Sequence, residues 1–224
     1  MTDQDAHGDR PAGSTPTVAA GPSSGPAGPT GPAGPTGPAG RSAGARALWA
    51  LADRFDRWAD RPFDQLRTVP NADRVFYAAS EAANFSMLWH ALAWVPVLVR
   101  PDPVRVVRAA STSAALAVES ALVNGPVKSA FRRSRPVLAE GQQRTRRLRQ
   151  PKTTSFPSGH ASAAAVAVLM LGRRHNVVVR AALAVLGAVV ATSRVHVRIH
   201  HASDVVGGAL IGYGLGRVLR RLLP

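Results

Sequence analysis

Apolar positions dominate five stretches of the chain, roughly Val75 to Val99, Ala109 to Val127, Ser155 to Gly172, Val177 to Thr192 and Ala202 to Leu219, with polar segments between them. Each reads as a helix. A bilayer core of about 30 Å needs about 20 helical residues, so the shorter stretches cross only with tilt, local thinning or arginines that snorkel at their ends. Were the helices in water, little polar surface would remain to cover them. Gly207, Gly208, Gly212, Gly214 and Gly216 in the last stretch point to close helix contacts of the membrane type. The expected fold is all-α, a membrane-embedded bundle of about five transmembrane helices.

Upstream of the bundle the pattern changes. From Ala47 to Asp60, Leu48, Leu51, Phe55 and Trp58 recur at spacings of three and four among Arg46, Arg54 and Arg57, which predicts an amphipathic helix. It either lies on an anionic membrane surface or covers the folded domain; the periodicity is the same in both cases. Before it, Gly recurs every third position between Gly25 and Gly40 in Gly-Pro-Ala and Gly-Pro-Thr triplets. So short a collagen-like run is marginal as a triple helix, and a Pro/Gly-rich segment with little apolar surface reads as a disordered tail. The expected organisation is a tail over 1–45, an amphipathic or interfacial segment over 46–74, and the membrane domain over 75–224.

Composition narrows the chemistry. The chain has no cysteine, which excludes disulfides, Cys-ligated zinc and thiol catalysis. It is 46% hydrophobic but only 5% aromatic, which suits helices packed through Ala, Val and Leu. Its 28 Lys and Arg against 13 Asp and Glu give a formal charge of +15 and imply anionic partners. No motif or aromatic row marks a nucleic-acid surface, so phosphates or anionic lipid are the expected partners, with no nucleic acid, and charge alone does not choose between them.

Three polar groups interrupt the apolar pattern, each at the end of a stretch: Lys128 through Pro136, Pro157 through His160, and Ser193 through Asp204. If all five stretches cross the membrane, these ends share one face, and sequence-distant groups converge as an active site requires. The first reads Lys128, six residues, Arg135-Pro136. The second is Pro157-Ser158-Gly159-His160, and the third is Ser193-Arg194, five residues, His200, three residues, Asp204. This constellation resembles the type 2 phosphatidic acid phosphatase family, whose three-part signature it matches at every fixed position, in order. The resemblance covers about residues 75 to 220.

The residue types suit phosphoryl transfer in their own right. Lys128, Arg135 and Arg194 offer fixed positive charge and forked guanidinium donors to the charge that spreads over phosphate oxygens in the transition state. Ser158 and Gly159, opening a helix, present a hydroxyl and backbone N–H groups to the same oxygens, and Ser158 serves equally as an N-cap. The resemblance implies His200 as nucleophile. If the segment is helical, Asp204 reaches its Nδ1 and leaves Nε2 free to attack. It further implies that His160 protonates the leaving oxygen and then activates water, through a phosphohistidine and with neither metal nor cofactor. The implied reaction is hydrolysis of a lipid phosphate or diphosphate, of the polyprenyl phosphate or phosphatidic acid type.

Other ionisable groups have plainer readings. His196 and His201 lack the spacing to Asp204 and read as supporting or substrate-side groups, His90 as a hydrogen-bonded core histidine and His175 as a loop residue. Glu119, inside the second stretch, needs a partner at membrane depth and is a functional candidate. The loop from Lys128 to Lys152 carries nine basic residues against Glu140, and those from Arg144 to Arg149 either gather anionic headgroups or are solvated. Five crossings put the site on the side of the N-terminus. The basic loop, with no basic-to-apolar leader after Met1, favours the cytoplasm. Two rivals share these features: a haloperoxidase holding vanadate where phosphate would sit, and a non-catalytic protein that binds anionic lipid.

Overall fold

The computed structural model describes residues 43–137 and 153–224. The tail read as collagen-like, and the basic residues from Arg144 to Lys152, lie outside the described residues. Those described form seven α-helices and no strand: α1 (Ala43–Arg67), α2 (Pro70–Ala82), α3 (Met87–Val99), α4 (Pro103–Leu122), α5 (Gly159–Leu171), α6 (Val177–His196) and α7 (Ala202–Leu222). The fold is an all-α membrane bundle, with α5 in its middle against α4, α6 and α7.

Local chemistry sets the ends. Asp102 caps α4 by accepting from the Arg105 N–H at 3.0 Å, with Pro103 next, where its missing N–H costs nothing. Asn176 caps α6 from the Val179 N–H at 3.0 Å. Near its C-terminus α4 opens into a wider π-helical turn, Val123–Val127, around Gly125 and Pro126. That turn carries the chain out of the helix just before Lys128. The third apolar stretch becomes helical only at Gly159, where Ser158 supplies the cap; Pro157, with no N–H to donate, disfavours a helix that starts earlier.

The stretch Val75 to Val99, expected as one helix, is two. α2 and α3 meet at a 65° bend, where Phe85 and Ser86 take positive φ of 52° and 59°. Different partners pull the halves apart: α2 packs on α6 while α3 packs on α4. Among the described residues, by length and composition, α4 with its π turn and α6 suffice to cross a membrane, and the bent pair makes a third if its two halves count as one broken span. α5, at 13 residues or about 20 Å, is shorter than a bilayer core, and α7 has Asp204 at one end and Arg217, Arg220 and Arg221 at the other.

α7 lies close against α5. A Cβ on Gly208 would collide with the backbone of Ser158, and one on Gly212 with that of Ser162. Gly214, expected to share this role, faces open space. The buried core around this contact is made of small and branched residues, Ala115, Leu116, Ala163, Ala164, Val166, Ala167 and Val190, closed by Trp89.

α1 both covers the domain and keeps an apolar face outward. It packs on α6 and α7. Asp56 is buried against that surface, while Leu48, Leu51 and Trp58 are exposed.

Candidate active site

The expected site residues meet at one end of the bundle, where α4 and α6 finish and α5 and α7 begin. Lys128 follows the π turn and is buried; its Nζ donates to Asn124 Oδ1 at 2.9 Å. Burial, with Arg135 and Arg194 nearby, lowers its pKa to about 8. Arg135 sits in the irregular segment that follows the π turn and is held from several sides. Nη1 donates to the Ile199 carbonyl at 2.9 Å, Nε to that of Thr153 at 3.1 Å, and Nη2 to that of Thr154 at 3.2 Å. Arg194, in the last turn of α6, is buried and donates to Ser80 Oγ.

Ser158 is fully buried and caps α5, with the Ala161 N–H donating to its Oγ at 3.4 Å. Its own N–H donates to the Asp204 carbonyl at 3.0 Å, fixing the start of α5 to the start of α7. At Gly159 a Cβ would stand 3.1 Å from Asn124 Oδ1, so a side chain here would press on the residue that holds Lys128. His160 Nε2 lies 3.2 Å from the Ser80 carbonyl. That pairing puts the proton on Nε2 and leaves Nδ1 as the free nitrogen of the neutral ring.

His200 lies in the tight connection between α6 and α7, where Arg198 takes a positive φ of 55°. Both the Ile199 and the His200 N–H donate to the Arg194 carbonyl at 3.1 Å, so the end of α6 folds back to present the imidazole. Nε2 is 3.4 Å from Arg135 Nη1. No helix runs from His200 to Asp204, because α7 starts at Ala202, as the apolar pattern placed it. Asp204 acts as an N-terminal cap, its Oδ2 accepting from the His201 N–H at 2.9 Å. Asp204 Oδ2 therefore stands 3.6 Å from His200 Nδ1, an ion-pair distance that is longer than a hydrogen bond. Burial lowers the His200 pKa to about 4; Arg135 and Arg194 add to this and Asp204 opposes it. The ring is neutral at physiological pH.

Asp204 is fully buried, and its other partners were not legible in the sequence. Arg133 Nη1 donates to Oδ1 at 2.7 Å and Ser155 Oγ donates to Oδ2. Arg133 also reaches α1, where Nη2 donates to Asp56 Oδ2 at 2.5 Å. In the run Arg132-Arg133-Ser134-Arg135 nothing distinguished Arg133 from a solvated charge. The available signal was an acidic stripe, Asp53, Asp56, Asp60 and Asp64, at helical spacing in a basic chain. Ser80 and Asn124, which hold Arg194 and Lys128, carried no signal at all.

The remaining groups are engaged by other partners. His196 is buried, 3.0 Å from Asp73 Oδ1 and stacked on Phe76 at 4.5 Å, and so fastens α2 to α6. His201 Nε2 pairs with the Ser134 carbonyl at 3.3 Å. His90 Nδ1 is 3.0 Å from Ser113 Oγ, linking α3 to α4, and His175 follows a short turn after α5. Glu119 is fully buried and accepts from Ser162 Oγ, the partner its depth demands. A cleft of about 350 Å³ opens beside His200, walled by Asp56, Asp60 and Asp64 of α1 and by Pro136, Val137 and Arg198.

Fold and site together define a membrane protein with three cations and a neutral histidine gathered at one end of apolar helices. The chain belongs to the PAP2 superfamily, whose family model matches residues 108–224, and it is a phosphatase of that superfamily. A crystal structure of a transmembrane PAP2-type phosphatidylglycerolphosphate phosphatase from Bacillus subtilis is similar, with a TM-score of 0.53 and 18% sequence identity over 79% of this chain and 94% of that one. At that identity the likeness speaks for the fold. No curated protein matches the chain.

Proposed function

We propose that this chain hydrolyses a lipid phosphate or diphosphate at the membrane surface, through a phosphohistidine on His200 and without a metal. The observation that carries the reading is the meeting of Arg135 and Arg194 with a neutral, buried His200. A neutral imidazole keeps the lone pair a nucleophile needs, and the cations take up charge on the phosphoryl oxygens as it develops. His200 Nε2 attacks phosphorus as the bond to the lipid oxygen breaks. His160 Nδ1, the nitrogen that Ser80 does not hold, takes up the proton carried by the bound phosphate monoanion and passes it to that oxygen as it leaves. Neutral His160 then takes a proton from water, the water oxygen attacks phosphorus, and the P–N bond breaks to return His200 and release phosphate. Lys128, Arg135, Arg194, Ser158 and the N–H groups at Gly159 bind the phosphoryl oxygens throughout.

A lipid substrate follows from the setting. The site lies at the end of apolar helices, so a substrate anchored in the bilayer presents its headgroup there without leaving the membrane. Polyprenyl phosphates and phosphatidic acid both satisfy this geometry.

The test is phosphate release by detergent-solubilised wild type and His200→Ala, with chelator present, across phosphatidate, polyprenyl phosphate, polyprenyl diphosphate and a soluble phosphomonoester. Chelator-resistant release from a lipid, lost in the variant, is the expected result and ranks the substrates. Release that survives in His200→Ala, or no release from any lipid, overturns the reading.

A further inference from the structure

α1 is amphipathic in the opposite sense to a helix covering a soluble domain. Leu48, Leu51, Phe55 and Trp58 point away from the protein and are 69, 58, 39 and 65% exposed. The acidic stripe lies on the other face, and its central member, Asp56, is buried. Arg54, Arg57 and Arg61, all exposed, flank the apolar stripe. An outward apolar stripe edged with arginine, on a helix packed at the site end of membrane-spanning helices, fits the headgroup region of an anionic bilayer.

The inward face leads to the catalytic centre in two steps. Asp56 accepts from the Ser203 N–H at 2.7 Å, from Ser203 Oγ at 2.9 Å and from Arg133 Nη2 at 2.5 Å. Arg133 then donates Nη1 to Asp204 Oδ1 at 2.7 Å and to Ser203 Oγ at 2.6 Å. Its guanidinium also lies 5.0 Å from the centre of the Trp49 ring, again on α1. Its own backbone is pinned, because the Ser155 N–H donates to the Arg133 carbonyl at 2.8 Å while Ser155 Oγ donates to Asp204. One planar fork therefore joins the buried acid of α1 to the acid beside His200, a geometry that lysine cannot reproduce.

We propose that α1 is a bilayer-seated strut whose Asp56, through Arg133, positions Asp204 and hence His200, so that turnover depends on the seating of α1 in the membrane surface. Asp56 and Arg133 are positioning residues that do not touch the substrate. The inference rests on the histidine reading above, and the experiment separates the two. If His200→Ala retains wild-type release, that reading fails; if His200→Ala is dead but the variants below behave as wild type, only the strut fails.

The variants are Asp56→Asn, Arg133→Gln, Arg133→Lys and Leu51→Ser/Trp58→Ser, each purified and assayed in vesicles of zwitterionic and anionic phospholipid over a range of pH. Arg133→Gln is expected to lower kcat by on the order of 10²-fold, the cost of a misplacement of about 1 Å, with KM little changed. It also moves the acid limb of kcat/KM to higher pH. The groups facing His200 are Arg135, Arg194, His160 and Asp204; with Arg133 gone, Asp204 carries an unneutralised charge that favours the imidazolium. Arg133→Lys keeps the limb in place and recovers only part of kcat, since it has the charge but not the fork.

Asp56→Asn and Leu51→Ser/Trp58→Ser are each expected to lower kcat about tenfold. Acting along one route, they combine to little more than the larger single loss. Wild-type kcat in both Arg133→Gln and Asp56→Asn overturns the proposal. So does full rescue by Arg133→Lys, or losses in Asp56→Asn and the α1 surface pair that multiply.

Discussion

Asp204 Oδ2 lies 3.6 Å from His200 Nδ1 while accepting from Ser155 Oγ and from the His201 N–H, so the acid beside the proposed nucleophile is already held by other donors. Its position is fixed independently of the histidine, so the imidazole meets an anion that is already in place. The acid also caps α7, so the element that sets the acid is the one that starts the last helix.

Asp204→Asn tests that arrangement. The amide keeps the size and one acceptor, but it loses the charge that favours the Nδ1 proton and the ion pair with Arg133. By analogy with acid–histidine pairs elsewhere, kcat is expected to fall by about 10³- to 10⁴-fold. Steady-state phosphate release, with circular dichroism to confirm retained helix, is the measurement; a fall below tenfold would mean that Asp204 serves only as a cap.

With the proton for the leaving oxygen arriving on the bound phosphate, the pH dependence of the free enzyme follows from two shifted groups. His200 must be neutral to attack, and with its pKa near 4, activity is lost as pH falls through that value. Lys128 must be charged to bind phosphate, and with its pKa near 8, activity is lost as pH rises through that value. The kcat/KM profile is therefore bell-shaped. Lys128→Arg carries a cation that does not titrate in this range, so the alkaline limb should move upward by more than one unit. An alkaline limb that stays put in Lys128→Arg assigns it to another group.

Much of this was legible because membrane helices and motif spacing are local signals. The apolar runs announced α4 to α7, and Lys128, Arg135, Ser158, Gly159, His160, Arg194, His200 and Asp204 stood at the helix ends that the topology gathers. What was not legible depends on partners distant in sequence. The bend at Phe85 and Ser86 arises because α2 and α3 choose different neighbours, which no periodicity within Val75 to Val99 encodes. The link from Asp56 to Arg133 spans 77 positions, and each residue alone resembles a surface charge. Gly214 failed as a contact residue because composition shows that a helix is rich in glycine without showing which face meets its neighbour.

Gly159 and Asn124 give a prediction about the lysine. A methyl group at Gly159 would press on Asn124 Oδ1 from 3.1 Å, and that atom holds Lys128 Nζ at 2.9 Å. Gly159→Ala and Asn124→Ala should both weaken phosphate binding, raising KM by about tenfold, roughly the loss of one charge-assisted hydrogen bond. Because both act through Lys128, the double variant should resemble either single one. Independent, multiplying effects would show that Gly159 acts through its own N–H instead.

The contact between α5 and α7 supplies a stability test with an internal control. Gly212 and Gly214 sit two residues apart on one helix, yet a Cβ on the first would collide with the backbone of Ser162 and on the second would meet nothing within 4 Å. Backbone cannot move aside as a side chain can, so Gly212→Ala must push α7 from α5, at the roughly 1–3 kcal/mol typical of overpacking or more. Gly214→Ala has no such cost and gains the helical preference of alanine over glycine, about 1 kcal/mol where the helix faces open space. Thermal unfolding in detergent should therefore show a lower Tm for Gly212→Ala and an unchanged or higher Tm for Gly214→Ala. Since α7 carries Asp204 in its first turn, the Gly212 variant should also lose activity while the Gly214 variant keeps it. Equal behaviour of the two would mean that the helices do not pack through the Gly212 face.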